Sequence, residues 1–288
     1  MLLQGLANGL VIGALFALLG VGLTIVYGVM DIPNFAQAGV ITLGAYIMLS
    51  LNQGLGLNFW LAVVIGIIAT GVISILTERV AYRFVRSRPM AAPVVALGLL
   101  LVLDNSALEL WGGAHVSLSP PYSATTLRIG SVVVPGVGMA VIALAALSLV
   151  ALYLLLQRTK IGRAIRAVSQ NPEAAAILGI DLEQQYITAF FISGILAGIT
   201  ALAYAPTYAV FPYMADTIIL NGFVVVILGG LGSVSGAVTA GLLLGFVESF
   251  SALYVSAAYQ TMFGFAVLLL IIVLRPSGLF ATRSRRVA

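Results

Sequence analysis

Long apolar runs fill most of this chain and determine what it can fold into. In order, they cover residues 5–28, 35–51, 58–80, 91–111, 137–156, 186–206, 217–230, 236–255 and 259–274. A helix needs roughly 20 apolar residues to cross a bilayer, and a span that is broken or packed inside protein can be shorter. Only 8% of the residues are charged, against about a quarter in soluble domains. The sequence therefore predicts an all-α polytopic membrane protein with about eight or nine transmembrane helices, some of them broken or short.

Basic residues form three clusters that fall between these apolar runs. The clusters are Arg79, Arg83, Arg86 and Arg88; Arg158, Lys160, Arg163 and Arg166; and Arg275, Arg283, Arg285 and Arg286. Short loops rich in Lys and Arg stay on the cytoplasmic side of a membrane. We therefore expect a cytoplasmic segment at 157–185, an external segment at 112–135, an external N-terminus and a cytoplasmic C-terminus. The net charge of +4 follows from this asymmetry and does not indicate a nucleic-acid partner.

One cytoplasmic stretch, GRAIRAVSQNPEAAAILGID at 162–181, has the pattern of a helix, a turn and a second helix. In the first helix, Ile165 and Val168 follow the helical period, while Arg163 and Arg166 take the other side. Such an amphipathic surface suits either anionic lipid headgroups or packing against protein.

The second helix of this stretch has start and stop signals at its ends. Asn171 suits the N-cap, Pro172 the first helical position, and Glu173 the positive first turn. Gly179 suits the left-handed position just past the helix end. The three alanines at 174–176 present a smooth surface without a basic residue, which favours a groove in a partner protein over lipid.

Three stretches together carry a specific family resemblance. They are NGLVIGALFALLGVGLTIVYGVMDIPNFAQAG near the start, RTKIGRAIRAVSQNPEAAAILGID in the middle, and LGGLGSVSGAVTAGLLLGFVES followed by LRPSGLF near the end. The chain resembles, essentially end to end, the permease subunits of branched-chain amino acid ABC importers, specifically the shorter of the two permeases. The resemblance implies a single transmembrane permease domain over 1–288, in a bacterial cytoplasmic membrane and in contact with its lipid.

The same resemblance implies protein partners. In that family a cytoplasmic coupling segment docks into an ATPase subunit, and the sequence from Glu173 to Gly179 matches the EAA-x3-G core of that segment. The longer signature that ends in Ile-x-Leu-Pro is absent. A second permease, either a longer sister or another copy, completes the pore, and an external binding protein delivers the substrate. The positions assigned to ATPase coupling are Gly162, Arg163, Arg166, Asn171, Pro172, Glu173, Ala174, Ala175 and Gly179.

Polar side chains inside the apolar runs are the candidates for a translocation path. Ionisable groups are costly at membrane depth and mark function by default. The candidates are Asp31, Asn34, Gln37, Asn221 and Glu248. Structural roles are the alternative, because Glu248 can pair with another helix and Asp31 can cap the helix that follows it.

Missing residue types exclude most enzymatic chemistry. The chain has no cysteine and a single histidine, so the sequence predicts neither a metal site nor a cofactor. It also lacks the GxxxxGK[ST] motif that cradles nucleotide phosphates. We therefore expect a transporter subunit that is not an enzyme, with ATP hydrolysed by a partner.

Two functions are compatible with these features. The first is the permease subunit of an ATP-driven importer, forming half of a pore for branched-chain or related amino acids. The alternative is an ATP-independent secondary transporter or channel for small polar solutes such as urea or short amides, for which carboxylates near the midplane would suffice. The capped segment at 162–181 favours the importer, because a channel has no use for a surface that docks an ATPase.

Overall fold

A computed structural model describes residues 1–86, 88, 91–130, 132–275 and 278–280. Arg283, Arg285 and Arg286 of the third basic cluster lie outside these described residues. The helices of the described part are α1 (Leu2–Met30), α2 (Ala36–Leu49), α3 (Phe59–Thr77), α4 (Arg83–Val85), α5 (Ala92–Trp111), α6 (Gly136–Arg158), α7 (Lys160–Gln170), α8 (Pro172–Ile177), α9 (Leu182–Tyr204), α10 (Met214–Gly229), α11 (Val234–Tyr254) and α12 (Gln260–Leu274). Two π-helical segments, Ser50–Gly54 and Glu78–Tyr82, extend α2 and α3, and a short 3-10 turn, Ala257–Tyr259, precedes α12.

Seven helices in the described part are long and apolar enough to span a membrane. They are Leu2–Met30, Phe59–Val85, Ala92–Trp111, Gly136–Arg158, Leu182–Tyr204, Val234–Tyr254 and Ala257–Leu274. Two further helices overlap predicted apolar runs but are shorter, with 14 residues in α2 and 16 in α10. The predicted fold class, an all-α polytopic membrane protein with some short or broken helices, is confirmed.

Helix α1 is the central helix of the bundle and packs antiparallel to α11. Glycine permits this close approach, because a Cβ on Gly13 would lie 2.8 Å from the Cα of Leu242. Further along α11, a Cβ on Gly241 would lie 2.7 Å from the Cα of Ala17. Helices in a bilayer associate through such small residues, since lipid removes the hydrophobic drive between them.

Helix α9 packs against α3 by the same means. A Cβ on Gly194 would lie 2.6 Å from the carbonyl oxygen of Thr70, and a Cβ on Gly198 would lie 2.8 Å from the Cα of Ile67. Helix α9 also contacts α1, where Ser193 Oγ donates to the carbonyl oxygen of Gly22 at 2.9 Å. Helices α1, α3, α9 and α11 therefore form the packed centre, while most of α6 and α12 faces outward.

The helix ends that carry basic residues lie at one end of this bundle. Gly28 lies beside Gly232, which places the end of α1 next to the start of α11. Arg83 lies 3.3 Å from Glu183, which joins the end of α4 to the start of α9. Helix α6 runs parallel to α1, and α12 starts beside the end of α11. We call this end the basic end; its described basic residues are Arg79, Arg83, Arg86, Arg88, Arg158, Lys160, Arg163, Arg166 and Arg275.

A small β-hairpin at the opposite end is a feature that the sequence analysis missed. Strand β1 (Thr126–Ile129) pairs antiparallel with β2 (Val132–Pro135). The Gln4 side chain holds the hairpin against the start of α1, because it donates to the carbonyl oxygen of Val133 and accepts from its amide, both at 2.9 Å. Segment 112–135 therefore contains ordered structure as well as loop.

Candidate functional site

Helix α7 at the basic end is fixed tightly to the end of α6. The Thr159 side chain caps α7 by accepting from the amide of Gly162 at 3.0 Å. Only glycine fits at position 162, because a Cβ there would lie 2.5 Å from the Cα of Leu156. The apolar face of α7 is buried through Ile165 and Val168. Together α7 and α8 form what we call the helical hairpin.

Helix α8 has side-chain and backbone caps at its two ends. Asn171 Oδ1 accepts from the amide of Ala174 at 3.0 Å, and Pro172 occupies the first helical position. Past the other end, Gly179 has φ 81°, a left-handed conformation that favours glycine. Its amide donates to the carbonyl oxygen of Ala176 at 2.9 Å. The helical hairpin is thus held rigidly although α8 has only six residues.

The exposed surface of α8 differs from the one that the sequence predicts. Ala175 is only 2% exposed, because it faces the rest of the chain rather than a partner. Ile177 and Leu178 are instead 86% and 80% exposed at the tip. The predicted smooth surface of three alanines is therefore corrected to one formed by Ala174, Ala176 and this apolar pair. Sequence reasoning missed Ile177 and Leu178, although two large apolar residues at the end of a short cytoplasmic helix are a usable signal.

The two arginines of α7 have different surroundings. Arg166 donates to Gln157 Oε1 at 2.7 Å, which ties it back to α6. Arg163 is exposed, as is Glu173 on α8. Of the predicted coupling residues, Arg163, Glu173 and Ala174 are therefore accessible to a partner, whereas Gly162 and Ala175 serve the internal packing of the helical hairpin.

The helical hairpin continues directly into α9. Asp181 caps α9 by accepting from the amide of Gln184 at 3.2 Å. Two contacts then join α9 to α4: the ion pair of Glu183 with Arg83, and the Arg86 guanidinium, whose Cζ lies 4.5 Å from the ring centroid of Tyr186. The start of α9, which follows the helical hairpin, is thus in direct contact with α4 and Arg86.

Arg86 also forms an ion pair with Glu78, whose side chain is 0% exposed. Burial lowers the pKa of the Arg86 guanidinium, while the nearby Glu183 carboxylate raises it. An arginine remains protonated at physiological pH, so Arg86 supplies a permanent positive charge beside the buried carboxylate.

A buried polar network joins four segments at the basic end. Gln37 Nε2 donates to the carbonyl oxygen of Ser193 at 2.9 Å, and the single hydroxyl hydrogen of Ser193 is shared between Gln37 Oε1 at 2.8 Å and the carbonyl oxygen of Gly22 at 2.9 Å. Asn34 Nδ2 donates to the same Gln37 oxygen at 3.3 Å and its Oδ1 accepts from the Tyr82 hydroxyl at 2.7 Å. Asn34 and Gln37, predicted on a translocation path, are therefore bonded within one chain and stabilise the break between α1 and α2.

The structure does not bring the predicted translocation residues together. Ser249, next to Glu248, donates to the carbonyl oxygen of Gly5 at 2.8 Å, so Glu248 lies near the start of α1. Asp31 follows the other end of α1, about 40 Å away by helix rise. Asp31 is exposed with φ 55° and ends α1, which corrects the alternative that it caps the following helix. Asn221 is half-buried on α10.

A family model described as the branched-chain amino acid transport system permease component matches residues 5–272. The chain belongs to this permease family. The permease is 30% identical to the high-affinity branched-chain amino acid transport system permease protein LivH of Salmonella typhimurium, over 96% of this chain and 94% of that protein. It is 29% identical to BraD of Pseudomonas aeruginosa, over 96% of this chain and 95% of that protein.

Two more distant similarities complete the comparison. The permease is 28% identical to the branched-chain amino acid transport system permease protein LivM of Escherichia coli, over 92% of this chain and 67% of that longer protein. PsaBC from Streptococcus pneumoniae, solved in complex with Fab, is 13% identical with a TM-score of 0.49, over 99% of this chain and 93% of that chain. Family membership and the apolar helices identify the permease as a multi-pass transporter subunit of the bacterial cytoplasmic membrane.

The buried carboxylate of Glu248 lies towards the end of the permease opposite the basic end. Glu248 on α11 is buried beside Gly264 of α12, where a Cβ would lie 3.3 Å from Glu248 Oε1. Burial raises the pKa of the nearby Tyr208 phenol, and the negative Glu248 carboxylate adds to the rise. Tyr208 therefore stays a neutral hydrogen-bond donor near this carboxylate, in the segment that follows α9.

Proposed function

We propose that the permease is the transmembrane subunit of an ATP-binding cassette importer and forms half of a pore for branched-chain or related amino acids. A separate ATPase subunit docks at the basic end on the helical hairpin. One observation carries this proposal: a rigidly capped six-residue helix that presents the nearly fully exposed side chains Ile177 and Leu178. The amino acid substrate is inferred from relatives named as branched-chain amino acid permeases.

The chemistry of the tip suits a partner groove. Fully burying a side chain such as Ile or Leu stabilises a contact by about 1.5–3 kcal/mol, and neither side chain obtains this inside the chain. Caps at Asn171 and Gly179 hold the tip in one conformation, so little conformational entropy is lost on docking. The exposed charges of Arg163 and Glu173 on the same helical hairpin can set its orientation on the partner.

Likeness to LivH and LivM supports a second permease as a further partner. The longer LivM of Escherichia coli aligns with 92% of this chain, which supports a pore built from two homologous permeases, either this chain with a longer sister or two copies of it. An external substrate-binding protein delivers the amino acid at the opposite end, where 112–135 and 205–213 meet through the backbone pairing of Val116 with Val210.

Uptake in proteoliposomes tests this function directly. The permease, its candidate sister and the candidate ATPase are reconstituted with loaded binding protein, and leucine uptake is measured with and without ATP. We expect uptake only when the ATPase and ATP are present. Equal uptake of leucine, urea or a short amide by the permease alone would instead support an ATP-independent transporter or channel.

A further inference from the structure

Arg86 lies between the start of α9 and the end of α3. Its guanidinium faces the ring of Tyr186 on α9, at 4.5 Å from Cζ to the ring centroid. The same group pairs with Glu78, which is completely buried. The charge that contacts α9 is therefore anchored inside the segment that ends α3.

The same segment also contacts the break between α1 and α2. Tyr82 lies four residues from both Glu78 and Arg86, and its ring centroid is 5.0 Å from that of Phe190 on α9. Its hydroxyl donates to Asn34 in the break, at 2.7 Å. Residues 78–86 are thus packed between α9 on one side and the break on the other.

The local backbone of this segment is unusual. Residues Glu78–Tyr82 are π-helical, whereas α3 before them and α4 after them are ordinary α-helix. Short π-helical segments are rare and occur frequently at functional sites. Here the π-helical segment contains the two buried polar side chains, Glu78 and Tyr82, that contact Arg86 and Asn34 respectively.

Two charge contacts join this segment to α9, and they differ in strength. Arg83 and Glu183 are both about half exposed, so water and salt screen their attraction. Arg86 is mostly buried against Tyr186, and a cation over an aromatic face binds more strongly when it is desolvated. The Arg86–Tyr186 contact is therefore the stronger of these two charge contacts.

We propose that Arg86 and Tyr186 are positioning residues that make residues 78–86 follow α9, so that movement of the helical hairpin reaches the break between α1 and α2. Helix α9 begins at Leu182, four residues after Leu178 at the end of α8, through the cap at Asp181. Tyr82 and Asn34 then pass the displacement to the break. This inference rests on the proposed function, because it assumes that an ATPase moves the helical hairpin.

A substitution of Tyr186 tests the contact between Arg86 and α9 without changing Ile177 or Leu178, the residues proposed to dock the ATPase. In the assembled transporter, Tyr186→Leu removes the aromatic face and leaves the Arg86–Glu78 pair intact, whereas Tyr186→Phe keeps the face as a matched control. We expect Tyr186→Leu to retain substrate-stimulated ATP hydrolysis while leucine transported per ATP falls about thirtyfold, the factor that corresponds to the stabilisation of a desolvated cation–π contact. Tyr186→Phe should keep the wild-type ratio. If leucine transported per ATP is unchanged in Tyr186→Leu, or falls equally in both variants, the positioning role of Arg86 and Tyr186 is wrong.

A cross-link provides a second test. The chain has no native cysteine, so Arg83→Cys and Glu183→Cys can be joined by a short bifunctional thiol reagent. If residues 78–86 follow α9, the cross-link leaves wild-type uptake intact and restores the transport ratio in Tyr186→Leu. Loss of uptake on cross-linking in an otherwise wild-type chain would show that residues 78–86 and α9 must move apart, which contradicts the proposal that they move together. Failure of the ATPase to dock would contradict the proposed function. Normal ATP hydrolysis with unchanged leucine transport per ATP in Tyr186→Leu would contradict only the positioning role of Arg86 and Tyr186.

Discussion

The hydroxyl of Tyr82 donates a hydrogen bond to Asn34 Oδ1 at 2.7 Å, across 48 residues of sequence. Both side chains are buried, and the bond joins the end of α3 to the break between α1 and α2. Asn34 is in turn bonded to Gln37, and Gln37 to Ser193 on α9. The break is therefore stabilised by polar contacts from three other segments.

Removal of this hydrogen bond should destabilise the permease. Tyr82→Phe leaves the Asn34 oxygen buried without its donor, which costs about 1–3 kcal/mol. Thermal unfolding in detergent should show a lower midpoint than wild type. Tyr259→Phe removes a hydroxyl from an exposed tyrosine and is the matched control, for which we expect no change. Equal midpoints for all three proteins would contradict a stabilising role of the network.

Ala175 and Ala176 are neighbours with opposite surroundings, which gives a sharp test of the helical hairpin. Ala175 is buried and Ala176 is exposed. Ala175→Trp should overpack the contact of α8 with the rest of the chain, at a cost of about 1–3 kcal/mol, and Ala176→Trp should not. Hydrogen exchange of the permease alone should accelerate at the α8 amides only in Ala175→Trp. Acceleration in Ala176→Trp alone would mean that the faces are reversed.

Sidedness can be checked with two single cysteines in the naturally cysteine-free chain. Ser169 lies on the helical hairpin at the basic end, and Ser119 lies in the segment 112–135; both are exposed. The basic clusters predict that Ser169→Cys is labelled by an impermeant maleimide only after the membrane is opened. Ser119→Cys should be labelled in intact spheroplasts. Labelling of both cysteines from the same side would contradict the topology.

Glu248 is the acidic residue that we expect to act in transport. It is buried towards the end where the proposed importer would take up substrate, and a carboxylate there can attract the ammonium group of an amino acid. Glu248→Gln keeps the shape and removes the charge, so the leucine concentration for half-maximal uptake should rise about tenfold, the lower end of what a hydrogen bond to a charged group contributes, while assembly is unchanged. Glu109→Gln, an exposed carboxylate at the same end, is the control. An equal response in both variants, or none in Glu248→Gln, would make Glu248 structural.

Much of this fold could be predicted from the sequence, because helix formation and capping depend on residues close together in the chain. Apolar runs marked the helices, and Asn171 and Gly179 act as the caps that their positions predict. The β-hairpin also had a local signal, since Gly130-Ser131 separates two short runs rich in β-branched residues, and Gly130 has φ 61°.

Contacts between distant segments could not be predicted from one sequence. Three consecutive alanines look alike, and only packing of the helical hairpin against the chain decides that Ala175 faces inward. Gln37 and Ser193 are 156 residues apart, so nothing near either residue indicates their hydrogen bonds. The separation of Glu248 and Asp31 could not be predicted either. Both are acidic, but Glu248 on α11 lies near the start of α1 and Asp31 follows its end.

Docking of an ATPase on the exposed tip of α8 is the central claim, and substrate-stimulated ATP hydrolysis tests it most directly. Ile177→Asp and Leu178→Asp place charges where the proposed groove is apolar, and Leu55→Asp changes another highly exposed leucine, outside the helical hairpin. All three proteins should enter the membrane and assemble with the sister permease. We predict that loaded binding protein stimulates ATP hydrolysis in wild type and Leu55→Asp, and that stimulation falls at least about tenfold in Ile177→Asp and Leu178→Asp. Wild-type stimulation in both tip variants would contradict the account.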